Sequence, residues 1–273
     1  MGNILEAKKL NKTYKISKGN EQRVSSRRPT PEGRICEANA LRVLRDVDIA
    51  IAEGEFVSVM GASGSGKSTL LYNISGMDKA TSGSISLCGE EISTMAEDAL
   101  SALRLDKMGF VFQQSSLLKN LNILDNIIYP AFAAKKDSRK NITDRAKKLI
   151  SQMGISSIAD NDITQASGGQ LQRVAICRAL INNPIILFGD EPTGALNSRA
   201  TNEVMDIFAD INNQGTTIML VTHDAKVAAK TERVLFMADG VIKGEKNIGK
   251  YQPGIDIKIR ENQLSSWLEN MGF

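Results

Sequence analysis

Histidine and tryptophan occur once each in this 273-residue sequence, and cysteine only three times. Cys36, Cys88 and Cys177 are far apart and form no C-x-x-C pair, which argues against a thiolate zinc site and a disulfide framework and points to a reducing compartment. No apolar run approaches the roughly 18 residues that cross a bilayer, so any work at a membrane would pass through a partner. The start, Met1 to Lys8, lacks the apolar stretch of a signal peptide, and Glu6 stands where a myristoylation pattern wants Ser or Thr. Neither charge sign dominates: 34 Lys and Arg face 31 Asp and Glu, a net charge of +3, too balanced to imply a nucleic-acid partner. Internal repeats and low-complexity segments are absent as well. What remains is a globular composition, 42% hydrophobic and 24% charged, with room for one large domain or two lobes.

Against that background one stretch stands out: Gly61-Ala62-Ser63-Gly64-Ser65-Gly66-Lys67-Ser68, a full match to the phosphate-binding pattern G-x-x-x-x-G-K-[ST]. The run Phe56 to Met60 before it reads as a buried strand, and Ser68 to Ile74 after it as a helix. Gly61, Gly64 and Gly66 let the backbone curl so that successive N–H groups face an anion, and the helix N-terminus adds its positive end. Lys67 then lies against the β- and γ-phosphates of a nucleotide, and the Ser68 hydroxyl is one oxygen ligand of Mg²⁺. No N-K-x-D guanine-reading motif follows, which disfavours a GTPase.

Along the chain, Ile4 to Leu10 and Val43 to Ile51 read as strands. The polar, arginine-bearing stretch from Ser17 to Ala40 between them reads as a surface loop, either solvated or in contact with lipid headgroups or a partner. Tyr14 precedes it and either packs or stacks on a nucleobase. Ser84 to Cys88 is a further strand, Ala96 to Leu105 a helix and Met108 to Phe112 a strand ending in Gln113-Gln114. Leu117 to Ala134 is apolar with interspersed Asn and Lys, and Asp144 to Met153 is an amphipathic helix. This helical block between α/β segments reads as an inserted lobe. Ser167-Gly168-Gly169-Gln170 leads into a helix from Leu171 to Leu180. Ile185 to Gly189 is a buried strand delivering Asp190-Glu191, and Thr217 to Thr222 another, delivering His223, the one histidine. Carboxylates and an imidazole at strand ends occupy the edge where α/β folds bind ligands. Arg233 to Ala238 with Gly240 to Lys243 forms a closing hairpin, and the tail carries a helix from Gln263 to Met271.

Taken in order, the phosphate loop, Phe112-Gln113, Ser167 to Gln170, Ile185 to Glu191 and His223 resemble the ATP-binding subunit of an ABC transporter. Ser82-Gly83, Gly109 to Gln114 and Gly194-Ala195-Leu196-Asn197-Ser198 are similar to the subgroup serving macrolide and peptide export, lipoprotein release and bacitracin-type resistance. The resemblance implies an ABC fold of the P-loop NTPase class, an α/β architecture with a RecA-like core sheet. An antiparallel β part (about 3–55) and a helical subdomain (about 95–168) would complete an ATPase domain over 3–245, with 246–273 as a C-terminal extension.

The resemblance also implies roles. Tyr14 would stack on adenine. Gly61, Ala62, Ser63, Gly64, Ser65, Gly66, Lys67, Ser68 and Thr69 would hold the nucleotide, while Ser68, Gln113 and Asp190 would arrange Mg²⁺ and its waters. Glu191 would act as general base, His223 would contact the γ-phosphate, and Ser167, Gly168, Gly169 and Gln170 would face ATP held by a second copy in a head-to-tail sandwich. The implied partners are that second copy and an integral membrane permease at the cytoplasmic face of the membrane, with no nucleic acid. Ala166, Ile163 and Asn197 depart from the commonest family residues (Leu, Pro and Asp). Apolar Leu117, Leu118 and Ile123 either receive permease helices or form lobe core. Two alternatives stay open: the same engine driving mechanotransmission or signalling through a membrane partner, and a non-transport ABC ATPase, for which the long coiled coil or strong basic surface is missing.

Overall fold

The computed structural model describes residues 2–15, 40–252 and 257–273, so the surface loop expected over 17–40 lies, but for Ala40, outside the described residues. Strands β1 (Asn3–Lys15) and β2 (Ala40–Ala52) pair antiparallel and exceed the apolar runs that announce them. Apolar residues of both, such as Leu5, Leu10, Leu44 and Ile51, are fully buried, and register shifts between the two strands interrupt strict alternation. β3 (Phe56–Met60) is buried at every residue, as expected of a strand covered on both faces. After helix α1 (Lys67–Ile74), β4 (Ser82–Leu87) and β5 (Glu90–Glu91) return to the first sheet, whose order is β2-β1-β4-β5. The antiparallel part thus draws strands from both sides of the phosphate loop.

Helix α2 (Glu97–Lys107) runs directly into β6 (Met108–Phe112). The helical block follows as α3 (Ile123–Ala134), α4 (Arg139–Gln152) and α5 (Gly168–Leu180). Helix α4 starts before Asp144 because the Ser138 hydroxyl caps it on Asn141 N–H. Ile123, one of the three apolar residues whose exposure was in question, is wholly buried in this lobe, Leu117 is partly packed against it, and Leu118 stays exposed. The chain continues through β7 (Ile186–Asp190), α6 (Ser198–Asn213), β8 (Thr217–Val221), α7 (Ala225–Ala228), β9 (Arg233–Ala238), β10 (Val241–Asn247) and α8 (Ile257–Asn270). Helix α6 has no counterpart in the sequence reading, although Val204, Phe208 and Ile211 recur at helical spacing and are all buried.

The second sheet has the order β10-β9-β3-β8-β7-β6. Its strands β9, β3, β8, β7 and β6 are mutually parallel, which requires the crossovers the intervening helices supply. Parallel pairing has a functional consequence. The carboxyl ends of β3, β8, β7 and β6 share one edge, so Gly61, His223, Asp190-Glu191 and Gln113, far apart in sequence, emerge side by side.

Candidate active site

At the end of β3 the chain turns into the phosphate loop. Gly61 has φ 155°, and a Cβ there would come within 2.0 Å of the Met237 carbonyl oxygen. Gly66, at φ 104°, would place a Cβ 3.2 Å from the Val43 carbonyl. Only glycine fits at either position. Gly66 is also the residue before α1, and no side chain caps that helix, which leaves its N-terminal amides available to an anion. Inside the loop the Ser65 hydroxyl is buried without a hydrogen-bond partner. An uncapped helix start and an orphaned hydroxyl fit a bound phosphate chain, which offers acceptors to both.

Lys67 is nearly buried and folds back on its own loop, its Nζ donating to the carbonyls of Gly61 at 2.9 Å and Ala62 at 3.0 Å. Burial lowers the pKa of this ammonium, and the nearby Glu191 and Asp190 carboxylates oppose that shift. The Ser68 hydroxyl donates to Asp190 Oδ1 at 2.8 Å, and the Tyr72 hydroxyl donates to Oδ2 of the same carboxylate at 2.6 Å. Burial first, and Asp190 second, push the Tyr72 phenol up to about 12. Tyr72 is the site residue the sequence reading misses. Its spacing, one helical turn beyond Ser68, puts it on the same helix face but does not tell which remote residue that face meets.

Glu191 sits in the left-handed region at φ 51°, held there by its N–H bond to the Val221 carbonyl at 2.9 Å. A non-glycine residue in this conformation is held by its surroundings at a cost of about 1–3 kcal/mol, a feature that clusters at reactive sites. Its Oε2 lies 2.6 Å from His223 Nδ1, so the expected base and the expected phosphate contact touch each other. Gln113 follows Phe112, whose Cα pairs with Asp190, and its side-chain amide packs over Gly194.

Tyr14 is held from three directions. Its hydroxyl donates to Asp78 Oδ2 at 2.6 Å and is shared with the Thr69 side chain, while the Lys12 ammonium stands 4.7 Å from its ring centroid. The ring thus lies beside the start of α1 while 39% of the residue remains exposed.

Ser167 to Gln170 occupy a different face. Ser167 and Gln170 form a reciprocal capping box, which starts α5 at Gly168 rather than Leu171. Gly168 and Gly169 have ordinary backbone angles, and their lack of side chains leaves the helix start open to close approach. A cavity of about 420 Å³ lined by these four residues, Arg173 and Asn197 contains none of the phosphate loop. Within one chain, therefore, the starts of α5 and α1 do not share this cavity. Asn197 caps α6 by accepting from Ala200 N–H at 2.9 Å, a task an aspartate would perform the same way.

The sequence pattern described as ABC transporter matches residues 44–194. A macrolide export ATP-binding/permease protein, MacB, of Rhodopseudomonas palustris is 43% identical over 84% of this chain, which spans 34% of that longer protein. The lipoprotein-releasing system ATP-binding protein LolD of Aquifex aeolicus is 46% identical over 74% of this chain and 90% of its own length. Among solved structures, a dimeric ATP-binding cassette in a post-hydrolysis state bound to ADP and Pi superposes with a TM-score of 0.77 at 35% identity, covering 90% of this chain and 100% of that one. The chain belongs to the ABC transporter family, as its ATP-binding domain.

Proposed function

We propose that this chain binds and hydrolyses ATP, pairs with a second copy around two nucleotides, and thereby powers an integral membrane permease. The observation that carries the reading is the convergence of Lys67, Ser68, Asp190, Glu191 and His223 on one sheet edge above an uncapped helix start. Phosphoryl transfer needs chiefly positioning and charge neutralisation, and these residues supply both. On binding, Lys67 would exchange the Gly61 and Ala62 carbonyls for phosphate oxygens. Ser68 and Asp190, joined by a hydrogen bond, form the oxygen donor set that Mg²⁺ prefers, with Gln113 alongside. Mg²⁺ bound there would neutralise charge on the phosphates. Glu191 would accept the proton of the attacking water while His223 orients that carboxylate and reaches the γ-phosphate. Tyr14 offers an exposed aromatic surface to adenine.

The start of α5 lines a cavity that contains none of the phosphate loop, which supports a head-to-tail pair in which each copy completes the other's site. Dimeric cassettes among the structural neighbours support the same arrangement. Among the described residues no helix is long and apolar enough to cross a membrane, consistent with a peripheral subunit on the cytoplasmic side of a permease. The named relatives act in macrolide export and lipoprotein release, and the cargo here would belong to that amphiphilic class, antimicrobial peptides included.

Replacing Glu191 by Gln tests the chemistry. The variant should bind ATP, lose on the order of 100-fold or more in turnover, and elute as a stable dimer only with ATP, as light scattering would show. Turnover at the wild-type rate would remove Glu191 from the role of base. Gentle solubilisation of native membranes followed by capture of the tagged chain should bring a permease with it, and recovery with soluble partners alone would refute the transport reading.

A further inference from the structure

Ser68 and Tyr72 lie four residues apart on α1, hence one above the other on the same helix face. That face meets β7, and the two hydroxyls take one oxygen each of the Asp190 carboxylate, at 2.8 and 2.6 Å. We propose that Tyr72 is a positioning residue for the divalent cation of the nucleotide complex: it locks the Asp190 carboxylate so that its remaining lone pairs meet the cation's waters in one fixed direction. The proposal rests on the reading of Ser68 and Asp190 as the residues that face Mg²⁺.

Three features of the structure carry it. First, the terminal torsion of an aspartate is broad, so a carboxylate bonded at one oxygen can swivel, whereas one bonded at both cannot without breaking a bond. Second, both donors are neutral. An ionised carboxylate has about four lone-pair sites, and two hydroxyls fill half of them without cancelling its charge. A lysine or arginine at the same place would compete with the cation it is meant to attract. The nearest lysine in sequence, Lys67, is directed instead onto the Gly61 and Ala62 carbonyls. Third, the Tyr72 ring packs against the apolar core formed by the two sheets and α1, so its hydroxyl is presented on a rigid stem rather than a mobile chain.

Tyr72→Phe removes the hydroxyl and keeps the ring in the core. The measurement is binding of a fluorescent N-methylanthraniloyl ATP to the full chain, in EDTA and across a Mg²⁺ titration, with Asp190→Asn as the companion variant. The expected result is unchanged affinity in EDTA for Tyr72→Phe, with the Mg²⁺ concentration for half-maximal enhancement raised about fivefold to tenfold, the tenfold end being about 1.4 kcal/mol. Asp190→Asn should abolish the enhancement. A Tyr72→Phe curve that overlies wild type overturns the proposal, as does an equal loss of affinity with and without Mg²⁺, which would mark a merely structural role. If Asp190→Asn also leaves the Mg²⁺ curve unchanged, or the wild type shows no Mg²⁺ enhancement, the assignment of Asp190 to the cation fails and takes the proposal with it.

Discussion

Arg260→Met should loosen the C-terminal helix and, through it, the segment that carries His223. Arg260 is only 8% exposed, and its guanidinium donates to four backbone carbonyls: Ala229 at 2.7 Å, Thr231 at 2.7 Å, Ile248 at 2.8 Å and Gly249 at 2.8 Å. Ala229 and Thr231 lie just beyond α7, the short helix that follows His223, while Ile248 and Gly249 follow β10. One side chain therefore ties α8 to both segments. Leu264 and Leu268 bury the rest of the helix against Ala228, Ala229 and Phe236.

Methionine has the length of the stem but no donors. The bonds to Ala229 and Thr231 are the fully buried ones, and leaving each carbonyl unsatisfied costs about 1–3 kcal/mol. Ile248 and Gly249 lie nearer the surface and can turn to water. Relief of burying a guanidinium offsets part of the loss, for a net destabilisation of about 2–4 kcal/mol. For a domain of this size that corresponds to a melting-temperature drop of about 4–16 °C. Native-state hydrogen exchange should show the amides of 257–270 losing protection before the core strands do, and ATP turnover should fall while nucleotide affinity holds. A variant that melts within 1 °C of wild type with unchanged protection in α8 would refute the reasoning.

Lys67→Ala should weaken ATP binding at least tenfold by equilibrium fluorescence and also cost the ligand-free fold some stability, because the bond to the Gly61 carbonyl is buried while the one to Ala62 is only partly so. Equal affinity would remove this lysine from the binding step. Asp78 links Tyr14 and Lys12: burial alone would raise its pKa, but the Lys12 ammonium and the Tyr14 hydroxyl together bring it below the ordinary 3.8. A carboxyl lowered in the folded state contributes stability that is present above 3.8 and lost as the pH falls through its folded value. Urea unfolding of Asp78→Asn should accordingly show a deficit against wild type at pH 6 that shrinks by pH 3, and a deficit independent of pH would contradict the pairing.

The sequence by itself determined the chemistry-bearing parts whose geometry is local. The phosphate loop is legible because a Cβ at Gly61 would collide with the Met237 carbonyl and Gly66 holds a φ of 104°, requirements that glycine meets and that leave a mark in the letters. β3 and β8 are legible because full burial demands nearly continuous apolar runs, broken here only by Ser58, whose hydroxyl pairs with that of Thr231, and by Thr217 at the start of β8. Ser167 to Gln170 likewise announce a helix start, since a capping box is a contact between residues three apart.

What only the tertiary structure decided are contacts between distant residues. Apolar character alone could not say whether Ile123 faces water or the lobe core, because that depends on which elements pack over it, and it is buried. Nothing local assigns β4 and β5 to the sheet of β1, since pairing across a sheet is set by register with a remote strand. Tyr72 reads as one more apolar helix residue until parallel pairing of β3, β8 and β7 brings Asp190 over α1, and Arg260 reads as a surface charge until α8 folds back onto four carbonyls. A hydrogen bond between residues 118 positions apart, such as that from Tyr72 to Asp190, has no local sequence signature. The fold creates it by closing the chain.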